Sequence, residues 1–243
     1  VSEPADGHPA AEAGPDGRHG PHAFVVDLAA PELAPDDRHH LDRALRLRAG
    51  DALTVSDGRG GWRPCRFGAE LEPTGPIRFV DALLPRITVA FALVKGGRPE
   101  LVVQKLTELG ADEIVPFAAA RSVVRWDDDK AARQADRLRR VAREASMQCR
   151  RCHLPDVASP TTFADLAGRP GAVLAERHGS PPDLVASVSL VVMIGPEGGW
   201  TDEERAAVPD HVGFGEQVLR AETAAIAATA VLGALRSGVV RPA

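Results

Sequence analysis

Leu190-Val191-Val192-Met193-Ile194, followed at once by Gly195-Pro196-Glu197-Gly198-Gly199-Trp200, is the stretch from which the fold can be read. Five apolar residues without a polar interruption describe a strand covered on both faces, as in a parallel sheet. The glycines then allow a sharp bend and a close approach of the backbone to whatever lies beyond the strand end. Thr201-Asp202-Glu203-Glu204 follows, with Thr and Glu at capping-box spacing, so a helix starts there. Open α/β sheets bind their ligands beyond the carboxyl ends of strands, at turns of this kind. On these residues alone, a ligand loop and a plain strand-to-helix turn stand about even.

The same rhythm extends upstream to residue 85. Residues 87–94 (Ile-Thr-Val-Ala-Phe-Ala-Leu-Val) form another near-continuous apolar run. Residues 101–110 read as a helix ending at a glycine, 113–117 as a buried strand, 130–148 as a long helix and 172–175 as a short strand. Helices follow at Thr201 and at Glu222. Strands alternating with helices predict an α/β domain with a mostly parallel sheet over 85–243. Before it, strand candidates at 23–26, 52–55, 62–67 and 76–80 surround a helical stretch at 39–47. With the turn Asp57-Gly58-Arg59-Gly60-Gly61 they predict a small β-barrel over 22–84. Residues 1–21, rich in Gly, Pro, Ala, His and Asp, lack the apolar middle of a secretory signal and read as a disordered tail.

Composition narrows the function. Hydrophobic residues at 44% and charged residues at 26% suit a globular chain, and no apolar run is long enough to span a bilayer. A net charge of -5 argues against a uniformly basic nucleic-acid binder, so any RNA contact must come from a local patch. One such patch is on the helix around 133–151. Leu138, Val141, Ala142 and Ala145 share an apolar face, while Arg133, Arg137 and Arg140 form one row and Arg139 and Arg143 another. A solvated face is the bland reading; the excess of arginine in an acidic chain tips it toward phosphate contact. Cys149-Arg150-Arg151-Cys152-His153 matches a haem-attachment spacing, but haem attachment needs export and the third cysteine, Cys65, lies in the other domain. The pair reads as packing thiols, with no metal site and the cytoplasm as default location.

Gly213-Phe214-Gly215-Glu216-Gln217-Val218-Leu219-Arg220-Ala221-Glu222-Thr223-Ala224 is a second glycine loop, leading into a helix of very small residues. That helix is either an interior element or an interface. Arg220 is a cation close to a helix start, against the helix dipole, which favours a task for it over an idle surface charge.

Taken in order, the chain resembles the RsmE family of ribosomal RNA small-subunit uridine-N3 methyltransferases. The matching stretches are Lys95-Gly96-Gly97-Arg98, Gln104-Lys105-Leu106-Thr107-Glu108-Leu109-Gly110, Arg121-Ser122-Val123-Val124-Arg125-Trp126, Arg143-Glu144-Ala145-Ser146 with Gln148, Leu154-Pro155 and the two glycine loops. His40-Leu41 to Leu45-Arg46-Leu47 with Gly50-Asp51 fits the family's first domain. The resemblance implies a SPOUT-type, trefoil-knotted α/β methyltransferase domain preceded by a small PUA-like barrel, in a homodimer. It implies S-adenosylmethionine as cofactor, held by Gly195, Pro196, Glu197, Gly198, Gly199, Gly215, Val218, Leu219 and Ala221, with the strand end at Ala175-Glu176 as a third wall. Gly198→Val is accordingly expected to weaken cofactor binding. Arg220 and Glu222 are the expected catalytic residues, with Glu197 as a further orienting carboxylate. Arg121, Arg125, Arg140 and Arg143 are expected to bind 16S ribosomal RNA or the small subunit. The chain departs from the family pattern at Gly97, where an acidic residue is usual, at Met147-Gln148-Cys149-Arg150-Arg151, where Glu-Gln-Ser-Gly-Arg is usual, and at Phe214, where leucine is common. The rival readings are the same fold acting on another RNA, an RNA-binding homologue with weakened turnover, and a nucleotide-binding α/β enzyme. The last lacks both a P-loop and a dinucleotide fingerprint.

Overall fold

The computed structural model describes residues 14–93, 98–124, 126–184 and 189–241. They divide into two compact units. The first takes the described chain up to Ala82 together with Ser146–Leu154; the second takes Leu83–Ala145 and the chain from Pro155 onward.

In the first unit, β1 (His22–Phe24), β2 (Ala52–Ser56), β3 (Gly61–Arg66) and β4 (Glu72–Pro73) pair in that order, and β5 (Arg78–Phe79) joins β3. β1 runs parallel to β2, and the other pairs are antiparallel. The β2–β3 hairpin turns where the glycines required it: Gly58 and Gly60 have φ of 74° and 102°. The Asp57 carboxylate accepts from the amides of Arg59 (2.7 Å) and Gly61 (3.0 Å), an Asx-type closure. A helix, α1 (Pro35–His39), runs on into one π turn at His40–Ala44, so the helical stretch starts earlier than the 39–47 pattern suggests. Pro35 in the first turn explains this, since a missing N–H costs nothing there. Residues 14–21, read in sequence as tail, include a 3-10 turn at Gly17–His19 capped by Asp16.

The Cys-x-x-Cys-His segment is part of this unit. The Cys152 carbonyl accepts from Gly60 N (3.0 Å) and Ser56 Oγ (3.1 Å), Leu154 N donates to Gly58 O (2.9 Å), and the His153 ring lies 2.7 Å from Val80 O. Burial pushes the Cys152 thiol up to about 12 and the Cys65 thiol up to about 11, so both stay protonated at neutral pH and are poor metal ligands.

The second unit contains β6 (Arg86–Ala92), α2 (Pro99–Glu108), β7 (Glu113–Ala118), α3 (Asp128–Cys149), β8 (Asp156–Val157), β9 (Thr161–Thr162), α4 (Phe163–Ala167), β10 (Ala172–Ser180), β11 (Ser189–Ile194), α5 (Asp202–Ala207), β12 (His211–Val212) and α6 (Ala221–Arg236). Only the end of α3, from Ser146, belongs to the first unit. The strands form one all-parallel sheet in the order β12-β10-β11-β6-β7-β8, with β9 beside β7. Successive residues of β6 point to opposite faces and are buried on both. Val89 and Phe91 join the cluster with α2, α3 and α6; Ala90 and Ala92 join the one with Phe117, Met193 and Trp200. This double coverage is why the strands read as unbroken apolar runs.

α6 is interior on one face, burying Ala221, Ala225, Ala228, Thr229 and Leu232. Its small side chains let it lie close against α2: a Cβ on Gly233 would stand 2.7 Å from Leu109 O. Its last residue, Arg236, is 5% exposed at the side chain, pairs with Asp112 and donates to Gly110 O at 2.6 Å. Asp112 also accepts from Ile87 N at 2.8 Å, which ties the end of α6 to the starts of β6 and β7.

Candidate functional site

The carboxyl ends of β10 and β11 open on a cavity of about 370 Å³ within the second unit. Its first wall is the turn after β11, contributing Gly195, Pro196, Glu197, Gly199 and Trp200. The second is the loop before α6, contributing Phe214, Gly215 and residues 217–221. The third is the part of β10 just past its ladder with β11, Ala175, Glu176 and Arg177. The three segments expected to cooperate therefore meet in one pocket.

Local chemistry explains each wall. After β11 the chain turns with Gly199 at φ 68° and a Gly199 N→Pro196 O bond of 2.9 Å. Thr201 then caps α5: its hydroxyl accepts from Glu204 N (3.2 Å) and Glu204 Oε2 accepts from Thr201 N (2.9 Å), the reciprocal box that the sequence spacing predicts. The other Glu204 oxygen accepts from Ala120 N at 2.8 Å. Trp200 underlies the turn. Its indole is 2% exposed, stacks on Phe117 (centroids 6.2 Å apart, 13° between planes) and donates from Nε1 to Ala175 O at 3.2 Å. Gly195 lies against that indole so closely that a Cβ would come within 2.9 Å of Cε2.

The second loop starts with another close approach. A Cβ on Gly213 would stand 2.7 Å from Gly179 O, and Gly213 N donates to Ser180 O at 2.9 Å. Gly215 follows at φ 134°, a conformation other residues rarely adopt. At Gly199 and Gly215 a Cβ would meet no protein atom within 4 Å, so both face open space. Arg220 is the N-cap residue of α6, extended at φ -65° and ψ 154°, exposed, and part of the cavity lining.

Other expected residues lie elsewhere. Gly198 does not line the cavity; its outer side meets Arg121, which donates from Nη1 to Gly198 O at 2.8 Å. Arg121 thus braces the first turn. Glu222, in the first turn of α6, is half-buried and outside the lining, whereas Glu197 is exposed and within it. Arg140 is exposed on α3 and Arg143 half-buried, while Arg137 pairs with Glu100 (3.1 Å) and Arg139 with Asp136 (2.8 Å). Arg125, Lys95, Gly96 and Gly97 lie outside the described residues. Trp200, Arg177, Phe214, Gln217 and Ala224 line the cavity without having been singled out as ligand contacts. An aromatic residue directly after a Gly-Gly turn was the available signal for Trp200. Among the described residues no group of His, Cys, Asp and Glu is arranged to hold a metal, and no helix is long and apolar enough to cross a membrane.

Comparison with known proteins bears on this geometry directly. Residues 82–233 match the RNA methyltransferase domain family, and residues 33–70 match the RNA methyltransferase PUA domain. Ribosomal RNA small subunit methyltransferase E of Mycobacterium tuberculosis is 32% identical over 83% of this chain and 85% of its own length. The chain belongs to the ribosomal RNA small subunit methyltransferase E family. The Bacillus subtilis member is 30% identical over 82% of this chain and 88% of its own. The Neisseria gonorrhoeae member, solved bound to S-adenosyl methionine, superposes with a TM-score of 0.79 at 26% identity, covering 89% of this chain and 98% of its own. Family membership makes the parallel-sheet unit an RNA methyltransferase domain, with a PUA domain preceding it.

Proposed function

We propose that this chain transfers a methyl group from S-adenosylmethionine to N3 of a uridine in the 16S RNA of the small ribosomal subunit. The observation that carries the reading is the meeting of both glycine loops and the β10 end in one pocket, with Arg220 in its lining, in a chain of this family. The pocket suits the cofactor. Backbone groups of the two glycine loops and the apolar Ile194, Val218, Leu219, Ala221 and Ala224 can hold an adenosine without a charged partner. Glycines at 199 and 215 leave the space that side chains would take. Bound there, the sulfonium supplies an electrophilic methyl group.

The protein's part is to align the acceptor and stabilise charge. Uridine N3 carries a proton and becomes nucleophilic only as that proton leaves to solvent. The negative charge then spreads onto the ring carbonyl oxygens. A fixed guanidinium next to them stabilises the transition state more than the ground state. Arg220 has that role in this reading, since it lies between the cofactor loop and α6. Glu197, in the same lining, is better sited than Glu222 to orient it; Glu222 then serves the helix N-terminus, where a carboxylate is favourable.

RNA binding is assigned to the PUA domain together with Arg121, Arg125, Arg140 and Arg143. A homodimer belongs to the same reading, as does the knotted thread of the SPOUT class. Val218, Leu219, Val231, Val239 and Val240, exposed apolar residues on and beside α6, are the surface offered to a second copy. The reading puts the protein in the cytoplasm, where ribosomal RNA is made in bacteria.

The test is transfer of a tritiated methyl group to unmodified small-subunit RNA and to assembled subunits, with mass spectrometry to locate the product. Methylation at uridine N3, lost in Arg220→Ala with cofactor affinity retained, is expected. Full turnover of Arg220→Ala at saturating RNA removes Arg220 from the chemistry, and methylation at another atom overturns the assigned product.

A further inference from the structure

Between Ala175 and Ser180 the pairing of β10 with β12 breaks register, so no continuous backbone ladder holds the two strands together there. This is where the pocket's third wall lies. A side-chain network takes the ladder's place. Glu176 Oε1 accepts from Arg205 Nε at 2.8 Å, and Glu176 Oε2 lies 3.2 Å from His211 Nδ1. Arg205 also donates from Nη1 to Trp200 O at 3.0 Å. The other ring nitrogen of His211 is 3.0 Å from Val208 O, so both ring nitrogens face acceptors and the protonated imidazole donates to both.

The partners come from three different places. Glu176 is in β10, Arg205 is in α5 just beyond the first glycine turn, and His211 begins β12, two residues before Gly213 opens the second loop. Each oxygen of the carboxylate holds a different wall. The Glu176 side chain is 22% exposed, His211 26% and Arg205 39%, so the cluster is part-screened and not a free surface pair. Arg205 also reaches Asp202 at 3.4 Å, but that carboxylate is fully exposed and the contact long. Trp200 completes the circuit, because its Nε1 donates to Ala175 O, one residue before Glu176.

We infer that Glu176 is a positioning residue, which sets the width of the methyl-donor pocket by holding the β10 end, the first glycine turn and the start of the second loop to one carboxylate. The inference rests on the reading of that pocket given above. Displacing walls that must grip a ligand by fractions of an ångström is costly, whereas a merely structural tie would show only in stability.

The experiment compares wild-type protein with Glu176→Gln, Arg205→Lys and the double variant. It measures S-adenosylmethionine affinity by calorimetry, methyl transfer at saturating cofactor, and melting temperature. Glutamine keeps the shape but turns an NH2 toward one of the two donors. The expected result is an affinity about tenfold weaker in each single variant, with melting temperatures close to wild type and kcat reduced less than affinity. The double variant should be no worse than the weaker single one, because both break the same circuit. Affinities within twofold of wild type in both singles overturn the inference, as does a loss of melting temperature with affinity intact. Wild-type protein that fails to bind the cofactor is a different outcome; it overturns the pocket reading itself.

Discussion

Adding a single methyl group at Gly195 should cripple the pocket while leaving its lining otherwise intact. A Cβ there would lie 2.9 Å from Trp200 Cε2 and 3.0 Å from Cζ2, where ordinary contact begins at 3.4 Å. Something must move by about half an ångström. The indole is poorly able to do so: it is buried, stacked on Phe117 and hydrogen-bonded to Ala175 O at 3.2 Å. The glycine turn is therefore the part that gives. Overpacking of this kind costs about 1–3 kcal/mol of stability. If about half of that strain must be overcome to bind the cofactor, the loss is about tenfold in affinity. The prediction for Gly195→Ala is a cofactor affinity about tenfold weaker, equivalent to about 1.4 kcal/mol, measured by calorimetry with a thermal melt alongside. Gly198→Ala is the control. Its Cβ would first meet Arg121 Cβ at 3.3 Å, a contact outside the cavity that a shift of a few tenths of an ångström relieves, and affinity should stay within about twofold. Gly195→Ala binding as tightly as wild type would refute the reasoning.

Three further outcomes follow from the structure. Burial holds His22 down to about 4 from 6.5, against a backbone hydrogen bond with Arg151 that works the other way. The folded state thus keeps the ring neutral while the unfolded chain takes up a proton, and stability of the first unit is full above pH 6.5 and is lost as pH falls toward 4, by up to about 3 kcal/mol. Denaturant titrations at pH 7.5 and pH 5 check this, and equal midpoints would contradict it. Arg236→Met leaves the Asp112 carboxylate without its guanidinium, and a loss of about 3 kcal/mol in urea unfolding is expected; a midpoint unchanged from wild type would show that the pair does not hold α6. Replacing the exposed Arg140 with Gln should lower RNA affinity and reduce the salt slope by about one, without changing cofactor affinity; an unaltered slope removes Arg140 from the interface.

Much of this fold is legible in the sequence because it depends on neighbours along the chain. The buried strands announced themselves as unbroken apolar runs, and the Thr201–Glu204 box needs only a spacing of three. What escaped depends on distant partners. β8, β9 and β12 are two residues each and carry no period. β10 reads as ending at Ala175 because Glu176-Arg177-His178-Gly179-Ser180 is polar, yet it continues to Ser180. The Cys149–His153 segment belongs with the first unit through hydrogen bonds from Gly60 and Ser56, about ninety residues away in the chain, and no spacing rule reports those. Gly198 shows the limit within a motif: five consecutive residues look alike in a glycine loop, but their neighbours in the fold decide which of them line the cavity. Arg121, expected from the family resemblance to bind RNA, is also tied to a backbone carbonyl of that loop.

A crystal of the protein grown with S-adenosylhomocysteine tests the account most directly. The ligand should sit at the ends of β10 and β11, in contact with the backbone of Gly195, Gly199 and Gly215 and close to Arg220. Density for it on another face, with both glycine turns bare, would contradict the account at its root.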